Sequence, residues 1–217
     1  MKDARALIDM TPQSTSIKIA EMLRERIIDG YFAPGQQVNE VQVASKLNLS
    51  RGPVREALQR LSQEGLLISK PNRGVFVVEL DAGDIDEIYG AREILELGAA
   101  ELITNQSAEG RQMASSNLRE IASRLTDATA VGDWQSVRSL DLQFHTTLVA
   151  ASGNSRLLRA YTTLAAEAMI CMRNLEQAYP APSSLSDHLL MAELIATAPM
   201  KEIRSVFHRH LSVRQSR

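Results

Sequence analysis

Strand-like sequence is confined to one short stretch of this chain. Two apolar runs rich in β-branched residues, LLISK at 66–70 and VFVVE at 75–79, flank the turn-forming sequence PNRG, which is typical of a β-hairpin. From residue 81 onward the apolar residues recur at helical spacing, with Gly, Asn and Pro between successive stretches. The pattern predicts a mainly α protein that contains a single hairpin.

Three helices are predicted before the hairpin. The first spans 15–29 and ends at Gly30, the second is short and begins at Asn39, and the third begins at Ser50 as its N-cap. The residues expected to face their common core are Ile19, Ala20, Leu23, Ile27, Val41, Ala44, Leu47, Val54, Leu58 and Leu61. Three helices followed by a hairpin wing is the order of a winged helix-turn-helix, which we predict for residues 1–80.

Residues 81–217 are predicted to form an all-α helical bundle. Helical periodicity and the positions of Gly, Asn and Pro indicate where each helix begins and ends. The predicted helices span about 84–104, 108–131, 133–151, 155–178, 184–197 and 199–214.

Composition indicates a globular protein of the cytoplasm. Hydrophobic residues make up 44% and charged residues 23% of the chain, which is ordinary for a folded domain. The apolar stretches are short, and the first residues lack the pattern of a secretory signal. The single cysteine, Cys171, cannot form an intramolecular disulfide and is expected to be buried. We therefore expect a cytoplasmic location and no membrane partner.

The third helix carries the residues expected to read DNA. A helix-turn-helix inserts the N-terminus of its last helix into the major groove, and Ser50, Arg51, Gly52 and Arg55 lie there. Arginine can grip guanine with two hydrogen bonds or clamp a phosphate. The alternative is an ordinary solvated charged face. Net charge does not decide between them, because residues 1–80 hold 11 Lys and Arg against 9 Asp and Glu.

The hairpin supplies a second set of candidate DNA contacts. Lys70 and Arg73 place positive charge where a wing would lie along the duplex, and Gly74 would let the tip approach closely. We predict that these three residues contact DNA.

The run LNLSRGPVREALQRLSQEGLL, followed by PNRGVFV, resembles the DNA-binding domain of the GntR superfamily. The resemblance covers about residues 15–79 and implies a bacterial transcriptional regulator that binds a double-stranded DNA operator. At Gly52 this chain departs from the family, which usually carries a hydroxyl residue able to contact phosphate.

The four histidines of the chain all lie in the second domain. Asp141 and His145 are four residues apart on the inward face of a predicted helix, and His188 and His210 lie on inward faces of the last two, whereas His208 points outward. A buried carboxylate surrounded by imidazoles suits a divalent metal such as zinc, nickel or manganese. The alternative is a set of hydrogen-bonded core side chains.

The motifs DLQFH, SDH and RHL are similar to those of the metal-binding form of the FCD domain, the C-terminal domain of FadR-type regulators. The resemblance covers residues 84–215 and implies a metal at the base of a ligand cavity inside the bundle. The ligands it implies are Asp141, His145, His188 and His210.

Arg92 faces inward on the first helix of the bundle, with Glu96 one turn later. It is predicted either to clamp the carboxylate of a small effector or to pair with Glu96 inside the bundle. The family resemblance favours the effector.

These observations predict a DNA-binding regulator that acts as a repressor. It would bind a near-palindromic operator as a homodimer. An organic-acid effector would change its operator affinity.

Two alternatives stay open. A metal-dependent hydrolase is disfavoured because, apart from Asp141, no acidic residue is clearly placed beside the cluster on the core face; a DNA-binding protein with an inert dimerisation domain would need no metal.

Overall fold

The computed structural model describes residues 15–178 and 187–212. The chain divides into two compact units between Glu79 and Leu80. In the first unit, α1 (Thr15–Ile28), α2 (Glu40–Leu47) and α3 (Arg51–Gln63) precede the antiparallel strands β1 (Leu67–Lys70) and β2 (Gly74–Val77). The predicted winged helix-turn-helix is confirmed.

The segment before α2 joins the hairpin, which the sequence did not suggest. Gln37 forms a bridge with Phe76, and the Val38 N–H donates to the Val75 carbonyl at 2.8 Å. The prediction recognised only a turn here, because QQV is too short to show strand alternation. This pairing fixes the wing against the rest of the unit.

The inward face of α2 differs from the prediction at one position. Asn39 caps the helix by accepting from the Val41 and Gln42 N–H groups, so Val41 lies in the first turn and is 54% exposed. Val43 is buried instead, and Ala44 is buried as expected. The expectation that Val41 faces the core was therefore wrong.

The second unit is helical throughout its described residues, which confirms the predicted fold class. Asp81 caps the first of these helices through a reciprocal capping box with Asp84, and the helix starts at Ala82, two residues before the predicted start. The predicted ends at 184 and 214 lie outside the described residues. The helices are α4 (Ala82–Thr104), α5 (Ala108–Ala130), α6 (Trp134–Ala151), α7 (Ser155–Ala178), α8 (Asp187–Thr197) and α9 (Met200–Leu211).

The inward faces of α4, α5, α6, α8 and α9 form the main core of this unit. Fully buried side chains from these helices, among them Leu118, Phe144, Ile195 and Phe207, pack into one cluster. Cys171 is buried elsewhere, beside Ile88, as expected. No described helix is long and apolar enough to cross a membrane.

Candidate metal centre and nucleic-acid interface

Three helices bring four candidate metal ligands to one point in the bundle. Asp141 and His145 lie one turn apart on α6, His188 lies at the start of α8, and His210 lies in the last turn of α9. One ligand atom from each lies within 4.8 Å of every other. The structure therefore brings together all four residues that the sequence singled out.

The separations between these atoms are close to those of ligands around a common ion. The Nε2 of His145 is 3.3 Å from that of His188 and 3.2 Å from that of His210, and Asp141 Oδ1 is 2.9 Å from His188 Nε2 and 3.7 Å from His145 Nε2. Two ligands bonded at about 2.1 Å to one metal at right or tetrahedral angles are about 3.0–3.4 Å apart. A divalent ion therefore fits the cluster.

Glu96 lies behind His145, on the side away from the other ligands. Its Oε2 is 2.6 Å from His145 Nδ1, while its Oε1 accepts from Arg92 Nε at 3.1 Å and from the Tyr161 hydroxyl at 3.0 Å. Glu96, His145 and Tyr161 are fully buried. The predicted pairing of Arg92 with Glu96 is present, and Glu96 also contacts His145 of the candidate metal cluster.

The buried carboxylates of this site stay ionised. Burial by itself raises the pKa of Asp141, but the charge and hydrogen bond of His145, with those of His188, hold it well below its usual value. Burial likewise opposes ionisation of Glu96, yet His145 and Arg92 lower its pKa. Asp141 and Glu96 carry two negative charges against the one positive charge of Arg92, so once His145 has lost its proton the cluster is net negative, and a bound cation would compensate that charge.

The histidines respond differently to this environment. Burial lowers the pKa of His145, but Glu96 and Asp141 raise it above its usual value. Burial, together with the neighbouring His188 and His145, holds the pKa of His210 well below its usual value. His210 Nδ1 has no hydrogen-bond partner among the described residues, and Asp187 Oδ2 lies 4.0 Å away.

His208 lies outside the cluster. Its side chain is 55% exposed, and its Nδ1 is 2.8 Å from Glu93 Oε1 on α4. Because α9 turns by about 100° per residue, His208 and His210 face opposite sides of the helix. The structure agrees with the outward orientation expected for His208.

The candidate recognition residues lie at the exposed start of α3. Ser50 is the N-cap by backbone geometry, but its side chain makes no capping hydrogen bond, which leaves the hydroxyl available. The side chains of Arg51 and Arg55 are 59% and 58% exposed. Gly52 is exposed too, and an added Cβ there would meet no atom within 4 Å.

Glu40, at the start of α2, holds both arginines. Its Oε1 accepts from Arg51 Nε at 2.8 Å and from Arg55 Nη2 at 3.0 Å, and its Oε2 accepts from Arg55 Nε at 3.1 Å. The hydrogen bond from Arg55 lowers the pKa of Glu40. Arg55 thus donates from both Nε and Nη2 to this carboxylate, and Arg51 donates from Nε.

The wing presents its basic residues around a strained turn. Lys70 Nζ lies 4.8 Å above the Phe76 ring, and exposed Arg73 precedes Gly74, whose φ is +102°. Gln37 Nε2 donates to the Arg73 carbonyl at 2.8 Å and would lie 2.6 Å from a Cβ at position 74. The positive φ therefore favours glycine at position 74, apart from any contact with DNA, and a Cβ there would displace the Gln37 amide.

Two carboxylates were missed from sequence. Glu40 gave no signal, because its arginine partners lie 11 and 15 residues later. Glu96 was noted beside Arg92, but its contact with His145 spans 49 residues. The statement that no acidic residue besides Asp141 lies beside the cluster was wrong. Glu96 nevertheless faces the far nitrogen of His145, so the hydrolase alternative gains no base on the metal side.

Comparison with known proteins assigns both units. Residues 15–77 match the family of bacterial regulatory proteins named gntR, and residues 87–213 match the FCD domain. An uncharacterised HTH-type transcriptional regulator of Bacillus subtilis, YdhC, is 33% identical over 147 residues, which is 67% of this chain and 64% of that protein. The gluconate operon transcriptional repressor of the same species is 28% identical over 71% of this chain and 62% of its own length.

The matches span less than two thirds of the length of these two relatives. A GntR transcriptional regulator from Rhodococcus sp. RHA1 has a solved structure that is 27% identical, with a TM-score of 0.77 over 92% of this chain and 94% of that one. These proteins are named as regulators and not as enzymes. The chain belongs to the GntR family of bacterial regulatory proteins and carries an FCD domain.

Proposed function

We propose that this protein is a transcriptional repressor that binds a near-palindromic operator as a homodimer and changes its operator affinity when a small organic acid binds in the metal-containing second domain. The observation that carries the effector part is the convergence of three imidazoles and one carboxylate on a single buried point. An inert dimerisation domain would not need such a cluster. The gluconate operon relative, which is named a repressor, supports repression over activation.

The first unit supplies the DNA contacts. The guanidinium groups that Glu40 positions would meet guanine in the major groove, and Ser50 and Gly52 would bring the helix start close to the phosphates. Lys70 and Arg73 would neutralise phosphates beside the groove, with Gly74 shaping the tip. Two copies related by a twofold axis would read two half-sites.

Asp141, His145, His188 and His210 would hold the divalent metal, with zinc, nickel and manganese as candidates. When bound, the ion supplies a Lewis-acid site with open positions for an organic carboxylate. Arg92 would contribute the other half of the effector site. Within the described part of the chain its hydrogen bond uses Nε, with Tyr89 stacked 4.9 Å away, so its terminal N–H groups suit a carboxylate.

The protein would act in the cytoplasm, where operator DNA is reachable. The test begins by selecting bound sequences from a random double-stranded DNA pool with the full chain. Affinity for the selected operator is then measured against a panel of mono-, di- and tricarboxylic acids, with zinc, nickel or manganese and after chelation. A metal-dependent change in affinity with one acid is expected. If no acid changes operator binding in any metal state, the effector role is wrong; if no sequence is selected, the operator role is wrong.

A further inference from the structure

Glu96 is an acceptor enclosed by three donors. Arg92 Nε and the Tyr161 hydroxyl reach one carboxylate oxygen at 3.1 and 3.0 Å, and His145 Nδ1 lies 2.6 Å from the other. A guanidinium has no acceptor. A carboxylate has no hydrogen to give. The short contact with His145 therefore requires that Nδ1 carry the hydrogen.

This assignment decides what His145 presents on its opposite side. A neutral imidazole carries one hydrogen, so a hydrogen on Nδ1 leaves Nε2 with a lone pair. Nε2 is the atom that lies 3.2 and 3.3 Å from the corresponding atoms of His210 and His188. The lone pair of His145 is thus directed at the point where the four candidate ligands converge.

We propose that Glu96 is a positioning residue that holds His145 in the tautomer able to bind the metal. Arg92, by donating to Oε1, in turn holds Glu96 with Oε2 facing His145. The inference rests on the proposed metal centre. It assigns Glu96 a role that its place in the core would not require, since a buried acid could be satisfied by Arg92 and Tyr161 alone.

Replacing Glu96 with glutamine should reverse the tautomer of His145 while keeping the shape of the side chain at position 96. The amide oxygen must occupy the Oε1 position, because Arg92 can only donate there. The amide nitrogen then faces His145 Nδ1 and donates to it. His145 responds by moving its hydrogen to Nε2, which removes the lone pair from the metal side.

The matched control is Tyr161→Phe. It removes one hydrogen bond to Glu96 and keeps the aromatic ring, the carboxylate and the contact with His145. A purely structural role for this buried network would make the two variants behave alike. A tautomer role separates them, because only Glu96→Gln places a donor against Nδ1.

The experiment measures zinc affinity by competition with a fluorescent chelator, and the His145 tautomer by long-range ¹H–¹⁵N correlation in the metal-free protein at alkaline pH, where the imidazoles are neutral. His145→Ala assigns the signals. We expect hydrogen on Nδ1 in the wild type and in Tyr161→Phe, and on Nε2 in Glu96→Gln. Zinc affinity should fall about 10–100-fold in Glu96→Gln and stay near the wild-type value in Tyr161→Phe.

Two results would overturn the proposal: an Nε2–H tautomer in the wild type, or wild-type zinc affinity in a folded Glu96→Gln variant. Should Glu96→Gln fail to fold, the wild-type tautomer still decides. If the wild type binds neither zinc, nickel nor manganese, the proposed metal centre is wrong, whereas the tautomer measurement tests the contact between Glu96 and His145 independently of any metal.

Discussion

Arg51 donates from Nε to the Glu40 carboxylate at 2.8 Å, across the turn between α2 and α3. The guanidinium is therefore oriented before DNA arrives, while the side chain remains 59% exposed. A preformed orientation reduces the entropy that a long side chain loses on binding. The negative charge of Glu40 also opposes nearby phosphates, so Glu40 should favour correct base contacts and disfavour random DNA.

Glu40→Gln should change specific and random binding in opposite directions. Loss of the carboxylate raises affinity for random DNA, because one repulsive charge disappears. Loss of orientation lowers affinity for the selected operator. The measurement is fluorescence anisotropy with both duplexes. Glu64→Gln, which breaks the similar ion pair with Arg24, is the control and should leave the ratio unchanged. Equal gains for both duplexes would show that Glu40 acts through charge alone.

Arg51→Ala and Arg55→Ala should each weaken operator binding roughly 10- to 100-fold, as expected for lost guanine contacts. Both side chains are more than half exposed, so the fold should survive. Gel-shift titration measures the affinity, and circular dichroism checks the fold. Unchanged binding by either variant would remove that arginine from the interface.

Arg73→Ala should weaken binding to the operator and to random DNA by similar factors. A wing arginine mainly neutralises phosphate, so the slope of log affinity against log salt should become shallower by about 1. Affinity titrations over a series of salt concentrations give that slope. A loss that depends on the base pair at one operator position would contradict this role.

Gly74→Ala should destabilise the first unit by about 1–3 kcal/mol. Its φ of +102° disfavours any Cβ, and the new atom would displace the Gln37 amide from the Arg73 carbonyl. Gly52→Ala is the control, since its added Cβ has open space and alanine favours a helix. Thermal unfolding of the two variants should separate them. Equal stability would mean that the wing tip tolerates the strain.

The sequence was sufficient where the physical signal was local. Helical periodicity predicted the helix faces that carry Asp141, His145, His188 and His210. Which residues share one face of a helix depends only on their spacing along that helix. It was insufficient for contacts between helices. The pairing of Glu96 with His145 depends on how α4 packs against α6, and no spacing along the chain encodes that distance. The error at Val41 was of another kind, because a helix of eight residues has too few repeats for spacing to show whether Val41 or Val43 faces the core.

The comparison between His208 and His210 tests the metal centre with the least change in chemistry. His210→Ala removes a nitrogen that lies 3.2 Å from His145 Nε2, so bound metal should fall sharply. His145→Ala, His188→Ala and Asp141→Ala should do the same. His208→Ala removes only an exposed contact with Glu93, and such surface pairs contribute about 0–1 kcal/mol. It should keep the metal of the wild type.

Stability should follow metal content. A metal that binds only the folded state raises the melting temperature by mass action, so a chelator should lower Tm in the wild type and in His208→Ala. It should have little effect on the four ligand variants, which have no metal to lose. Lower pH should act like the chelator, because protonated imidazoles cannot bind a metal. Metal stoichiometry and Tm with and without chelator measure both effects. If His208→Ala loses the metal while His210→Ala keeps it, the assignment of the inward face of α9 is wrong. If all five variants keep the chelator response of the wild type, the ion binds elsewhere.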